Sequence, residues 1–188
     1  MATSEDSLQL LVGAIEQCGA LVGGVRPEQA GLPTPCSEFD VRALINHTVY
    51  DLQSFTVMLN GEERGSPGTD LLGEDWAAAY QTASGALLTA WRRRGIEGTL
   101  KTRIGEFPAT WAVHQHTADV AMHGWDIATA TGQSTTQLDP EVGRESLNWA
   151  RENLKPQFRG AAFGPEVEVP ESAAIYERLA GFFGRNPF

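Results

Sequence analysis

The sequence predicts an all-α protein, a four-helix bundle followed by a short helical C-terminal extension, and three observations predict it. Apolar residues recur at helical spacing along four long segments. Clusters of Gly, Pro and Ser punctuate the chain between them, and there is no internal repeat or low-complexity tract. Long amphipathic helices of this kind bury their stripes against one another, and sites are then built from side chains facing across the core. Residues 1–132 are expected to form the bundle and residues 133–188 the extension packed on it.

Ser4 suits an N-cap, and Glu5 and Asp6 favour the positive end of the helix dipole, so the first helix is expected from Ser4 to Gly23-Gly24. Its stripe Leu8, Leu11, Ile15, Cys18 and Val22 uses Cys18 as a small hydrophobe. A loop rich in Pro and Gly leads to Asp40, a second N-cap. Phe39 is placed to pack on Leu44 as a hydrophobic staple, and the second helix is expected through His47 to a stop at Gly61. Leu44, Thr48, Phe55 and Leu59 put His47 at the margin of that helix's buried stripe.

A Gly/Ser/Pro loop, Gly61 to Gly73, precedes a third helix from about Glu74 to Arg94, with Trp76, Tyr80, Ala83, Leu87 and Trp91 on its apolar face. Arg92, Arg93 and Arg94 could mark an anion site, but cations at a helix C-terminus simply complement its dipole. Residues 98–106 are mostly polar and suit a short extended piece. The fourth helix follows Phe107-Pro108, with proline suited to its first turn, and ends near Thr131-Gly132. Asp139-Pro140 starts a fifth helix carrying Leu147, Trp149 and Ala150. A Gly/Pro/Val loop follows, and Ser172 to Phe183 makes a last amphipathic helix.

Composition excludes several classes of function. A formal net charge of −10 argues against a nucleic-acid surface, because phosphate binding needs a concentrated basic face. No apolar run approaches the roughly 18 residues of a membrane span, and Met1-Ala2-Thr3-Ser4-Glu5-Asp6 lacks the basic start of a signal peptide, so a cytoplasmic location is expected. The two cysteines, Cys18 and Cys36, are expected as free thiols. Cys36 lies in a Pro-bounded loop leading to the His47 helix, where a packed thiol and a catalytic or metal-binding one are the alternatives.

The fourth helix carries the most informative stretch, His116-Thr117-Ala118-Asp119-Val120-Ala121-Met122-His123-Gly124-Trp125-Asp126. Asp119 and His123 stand one turn apart, and side chains at i and i+4 lie about 5–6 Å apart at Cβ, within reach of one cation. His116 falls on the same stripe, among Ala112, Val120, Ile127 and Ala130, so the face points inward. Burying two histidines and an aspartate is costly unless they are paired or coordinated. Two readings stay open on the residues alone: a metal-binding edge, or a hydrogen-bonded Asp/His pair at the core margin. His114 points to the opposite face, near Trp111, Ala118 and Trp125, and is expected to be structural.

The segment Leu32-Pro33-Thr34-Pro35-Cys36-Ser37-Glu38-Phe39-Asp40-Val41-Arg42-Ala43-Leu44-Ile45-Asn46-His47 adds a second clue. Together with His123-Gly124-Trp125-Asp126-Ile127-Ala128-Thr129-Ala130-Thr131-Gly132 and the ending Gly184-Arg185-Asn186-Pro187, it resembles the mycothiol-dependent maleylpyruvate isomerase-like proteins of the DinB/YfiT-like superfamily, over nearly the whole chain. The resemblance implies a divalent metal, zinc before nickel, held by His47 from the second helix and by Asp119 and His123 from the fourth. It also implies mycothiol as the thiol, presented as a thiolate to a small electrophilic substrate for isomerisation or S-transfer. Three protein ligands leave an open position, the arrangement of catalytic zinc. His116 is the expected catalytic residue, with three roles open to it: a fourth ligand, a hydrogen bonder behind the ligands, or a general base toward the incoming thiol. Trp125 and Asp126 look like packing and loop-anchoring residues.

One departure bears on the reaction. The isomerases that the chain resembles carry a distinct C-terminal domain, and residues 133–188 are too short and too helical to replace it. The alternative function is therefore a non-catalytic, metal- or small-ligand-binding regulatory module. A monomer is expected, or a homodimer formed through an exposed aromatic helix face.

Overall fold

A computed structural model describes residues 4–62, 70–102, 105–154, 159–160 and 163–188, and among these residues are six α-helices, one 3-10 turn and one hairpin. The long helices are α1 (Ser4–Gly23), α2 (Val41–Leu59), α3 (Trp76–Arg94) and α4 (Ala109–Thr131). Each packs on two others: α1 on α3 and α4, and α2 on α3 and α4, so the bundle closes in the order α1–α4–α2–α3. Its interior is continuous, with Leu11, Leu44, Ile45, Leu52, Leu87, Trp91, Met122 and Ile127 fully buried. Removing an aliphatic or aromatic side chain of that size from water contributes roughly 1.5–3 kcal/mol.

Helix boundaries follow local chemistry. The Asp40 carboxylate accepts a hydrogen bond from the Ala43 N–H at 2.8 Å, which fixes the start of α2 where the sequence places it. At α3 the cap is Asp75, accepting from Ala78 N–H at 2.9 Å, so the helix begins slightly later than its apolar pattern suggests. At the end of α3, Arg94 donates to the Gly95 and Thr99 carbonyls at 2.9 and 2.6 Å, while Arg93 donates to the Asn60 side-chain oxygen. Most of the Gly61–Gly73 loop lies outside the described residues, as do Met1-Ala2-Thr3.

The extended piece between α3 and α4 is an antiparallel hairpin, β1 (Thr99–Thr102) and β2 (Gly105–Pro108), in which Leu100 pairs with Phe107. Pro108 is the N-cap of α4, one position earlier than a first-turn proline. Helix α5 (Pro140–Asn153), capped by Asp139, packs on α4 and α1, and α6 (Ile175–Phe182) packs on α5 and α4. Part of the connection between them is outside the described residues.

Helix α6 is shorter than the Ser172–Phe183 span read from the sequence. The Ala173 N–H bonds back to Pro170, making a turn, and the Ala174 N–H is taken by the Glu177 carboxylate at 3.0 Å, so the helix starts at Ile175. The expected aromatic helix face is also absent among the described residues. Trp111 packs between Phe107, at 4.3 Å, and Trp149, at 5.5 Å, while the exposed large hydrophobics are Leu32 and Phe188, neither of them helical. No helix of the described chain is long and apolar enough to cross a membrane.

Candidate functional site

Helix α4 brings His116, Asp119 and His123 along one stripe, and α2 opposes them with His47, Asp51 and Phe55, each four residues after the last. The two helices run antiparallel across this seam. His47 near the start of α2 meets His123 late in α4, ring centroids 5.2 Å apart and nearly perpendicular. Phe55, two turns further along α2, stacks on His116 early in α4 at 3.9 Å. Asp51 stands on α2 between His47 and Phe55, and Asp119 on α4 between His116 and His123; the Asp51 charge favours a charged His116 and disfavours a charged Asp119.

The row is graded in exposure. His47 and Asp51 form its open end, with side chains 33% and 23% exposed, and His47 Nε2 lies 3.1 Å from an Asp51 oxygen. Phe39, placed before α2 by the loop turn that closes with its N–H on the Cys36 carbonyl, stacks on the outer face of His47 at 4.9 Å. The His123 side chain is 12% exposed. His116 is fully buried, and neither of its ring nitrogens has a hydrogen-bond partner among the described residues.

Burial sets the protonation of the row. It pushes the His116 imidazole down to about 4, with Asp51 opposing and His123 reinforcing the effect, so that ring is neutral at pH 7. Burial pushes the Asp119 carboxyl up to about 7; His123 and Arg185 work against this and Asp51 with it. Gln115, one turn before Asp119, donates to its carboxylate.

Below His123 the seam is tied to the C-terminal tail. His123 Nδ1 lies 3.4 Å from Asp126 Oδ2, and that wholly buried carboxylate accepts from Arg185 Nη2 at 3.1 Å and Nε at 3.4 Å. Burial opposes the Arg185 charge, and the Asp126 carboxylate more than offsets it, so the guanidinium is held above its ordinary value. Cys36 is half-buried and its thiol is raised by burial, partly relieved by Arg185. Cys18 is buried among apolar side chains and pushed up to about 12, the state of an inert core thiol. His114 faces α1, its Nε2 3.1 Å from the Ser7 hydroxyl.

The donor chemistry suits a divalent cation of the first transition row, since neutral imidazoles and carboxylates are borderline N and O ligands. The buried His116 nitrogens, without hydrogen-bond partners among the described residues, add a donor that a cation would satisfy. The side chains stand, however, in pairs: His47 with Asp51, Gln115 with Asp119, His123 with Asp126. Among the described residues no three His, Cys, Asp or Glu side chains converge on a single coordination point.

Sequence reasoning placed His47, Asp119, His123 and His116 on this seam and missed two neighbours. Asp51 follows His47 by one turn, the same i, i+4 signal that singled out Asp119 and His123. Arg185 lies in the ending Gly184-Arg185-Asn186-Pro187 that carries part of the resemblance, but no spacing marks Asp126, 59 residues away, as its partner.

The family profile described as the mycothiol maleylpyruvate isomerase N-terminal domain matches residues 11–128. Two uncharacterized proteins of Mycobacterium tuberculosis are each 36% identical to the chain over 185 residues, covering 96% of it and 98% of their own length. Among solved structures, the crystal structures of the mycothiol-dependent maleylpyruvate isomerase and of a histidine-to-alanine mutant of it superpose with TM-scores of 0.63 and 0.61. Sequence identities are 17% and 15%, and the overlap covers 78% of this chain and 68% of theirs. The four-helix core is therefore the DinB-like fold that the motifs of the sequence predict, and the chain belongs to the mycothiol maleylpyruvate isomerase N-terminal domain family.

Proposed function

We propose that the protein is a metal-dependent enzyme that uses a low-molecular-weight thiol, mycothiol first, as cofactor or co-substrate for isomerisation or S-transfer on a small electrophile. The observation that carries this is the α2/α4 seam, where three histidines and two aspartates face one another between two helices of the bundle. His47, Asp119 and His123 are the residues that would hold the ion. For all three to do so His47 has to leave Asp51, and Asp119 has to give up its proton and its Gln115 contact. A divalent cation bound there makes the thiolate form of a small thiol accessible at neutral pH, where a free thiol is mostly protonated.

His47 and Asp51 form the exposed end and are where a ligand from solvent arrives first. His116 stays neutral across the physiological range, which suits a nitrogen donor or a hydrogen bonder and not a base poised near pH 7. Residues 1–132 then form the metal-binding bundle and residues 133–188 an extension that packs on it. A cytoplasmic location, where such thiols stay reduced, belongs to the same reading.

A non-catalytic metal- or ligand-binding module is the second reading. It is favoured by the tight cover of Phe55 over His116, which closes that end of the seam. The test is metal content by elemental mass spectrometry on untagged protein, with and without His123→Ala, followed by calorimetry with mycothiol and turnover with a panel of electrophiles that includes maleylpyruvate. Near-stoichiometric metal lost in the variant, together with thiol-dependent turnover, is the expected result. Ligand-induced stabilisation without turnover would move the protein to the second reading. A protein that binds neither zinc, nickel nor thiol after reconstitution overturns both.

A further inference from the structure

We propose that Arg185 is a positioning residue that fixes the tautomer and orientation of His123 through Asp126, so that the C-terminal tail completes the α2/α4 site. Its consequence for ligand binding rests on the proposed reading of that site, while its geometry does not.

The guanidinium approaches Asp126 with two nitrogens on two oxygens, Nη2 on Oδ2 at 3.1 Å and Nε on Oδ1 at 3.4 Å. A fork of this kind fixes the plane of a carboxylate as well as its position, which a point charge does not. The third arm is fixed in turn, since Nη1 donates to the Phe183 carbonyl at 3.2 Å. Arg185 is 6% exposed and Asp126 is wholly buried, so solvent does not loosen the pair.

Oδ2 of the same carboxylate faces His123 Nδ1 at 3.4 Å. An ionised carboxylate only accepts, so the ring proton sits on Nδ1, and Nε2 keeps its lone pair. Nε2 is then the nitrogen available to a cation or an incoming proton. Histidines that bind metals are commonly oriented by a carboxylate on the other ring nitrogen, and loss of that partner typically weakens metal binding 10–100-fold.

The tail reaches this place because the chain turns back after α6. Gly184 has φ +85, and a Cβ there would stand 2.8 Å from the Gly164 backbone. The Arg185 N–H then bonds to the Ala180 carbonyl at 2.9 Å, which directs the side chain into the bundle.

Truncating a buried ion pair destabilises a protein whatever else the pair does, so stability alone does not test the proposal. The deciding measurement is the His123 tautomer in metal-free protein, read from long-range ¹H–¹⁵N NMR correlations at alkaline pH, for wild type, Arg185→Lys and Arg185→Gln, with zinc affinity measured alongside. The expected result is Nδ1–H in the wild type, Nδ1–H still dominant in Arg185→Lys, and a mixed or Nε2–H ring in Arg185→Gln with zinc bound 10–100-fold more weakly. An Nε2–H ring in the wild type overturns the proposal, as does a folded Arg185→Gln whose ring is unchanged. If Arg185→Gln does not fold, zinc affinity of Arg185→Lys decides: weaker binding than the wild type upholds the role of the two-nitrogen fork, and undiminished affinity overturns it. A tautomer that depends on Arg185 in a protein that binds no zinc would uphold this proposal and sink the metal reading, whereas zinc binding with a tautomer indifferent to Arg185 would do the reverse.

Discussion

His116 and Asp119 stand less than one turn apart on α4, and burial drives them in opposite directions, to about 4 and about 7 from ordinary values of 6.5 and 3.8. Between about pH 4 and 6.5 the unfolded chain carries a proton on His116 and none on Asp119, while the folded protein carries it on Asp119 and leaves His116 neutral. The number of bound protons is the same in both states, so together the two groups add almost no slope to stability against pH. Single variants should expose the hidden slopes. With Asp119→Asn only His116 remains, the unfolded state binds more protons, and stability should rise with pH up to about 6.5. With His116→Leu only Asp119 remains, and stability should fall as pH rises from about 4 to 7. Each slope is at most about 1.4 kcal/mol per pH unit, the value for one whole proton. Urea melts of metal-free wild type and both variants across that range check this; three parallel curves would rule it out. These two residues were legible in the sequence because both lie on a single helical stripe, whereas their opposed protonation comes from burial, which Asp51 on another helix resists at His116 and reinforces at Asp119.

At the scale of the element, the seam depends on where α2 begins. The Asp40 cap sets the helical phase that presents His47, Asp51 and Phe55 on one side, and Phe39 just before it covers the His47 ring. Asp40→Ala should lower stability by about 1 kcal/mol, as loss of an N-cap does, with an unchanged m-value in denaturant melts. An unchanged midpoint would mean that water or a neighbouring group replaces the cap. Helix starts at Asp40 and Asp139 were readable because a cap is a local hydrogen bond between a side chain and the next turn. Phe39 shows the limit of that logic: its staple partner on α2 was inferred from spacing, but its stacking on His47 is an outcome of side-chain packing. The start of α6 falls later than the apolar pattern from Ser172 suggests, because the turn at Pro170 and the Glu177 carboxylate hold the preceding backbone out of the helix.

At the scale of the whole molecule, the order α1–α4–α2–α3 puts α2 beside α4 in antiparallel sense, and this alone joins His47 to His123 and Phe55 to His116. The C-terminal tail then crosses back to α4. Gly184 is the hinge of that return, in a left-handed conformation and against the Gly164 backbone. Gly184→Ala should cost roughly 1–3 kcal/mol, the range for a non-glycine residue forced into such a conformation, and should weaken zinc binding in the same direction as Arg185→Gln with the helix content unchanged. Circular dichroism with zinc titration would check it, and full zinc affinity in a folded Gly184→Ala protein would detach the tail from the site.

The sequence by itself determined the helices, their caps, the inward stripe of α4 and the family, because periodicity, capping and contiguous motifs are properties of neighbouring residues. It also determined that His47, Asp119, His123 and His116 were the side chains to watch. Only the tertiary structure decided that Asp51 joins them, that Phe55 closes over His116, that His123 rests on Asp126, and that Arg185 arrives from the far end of the chain. The physical reason is range. Helical spacing acts over one or two turns, whereas the partner of a buried charge is chosen by which surfaces the bundle presses together and by the cost of leaving that charge alone.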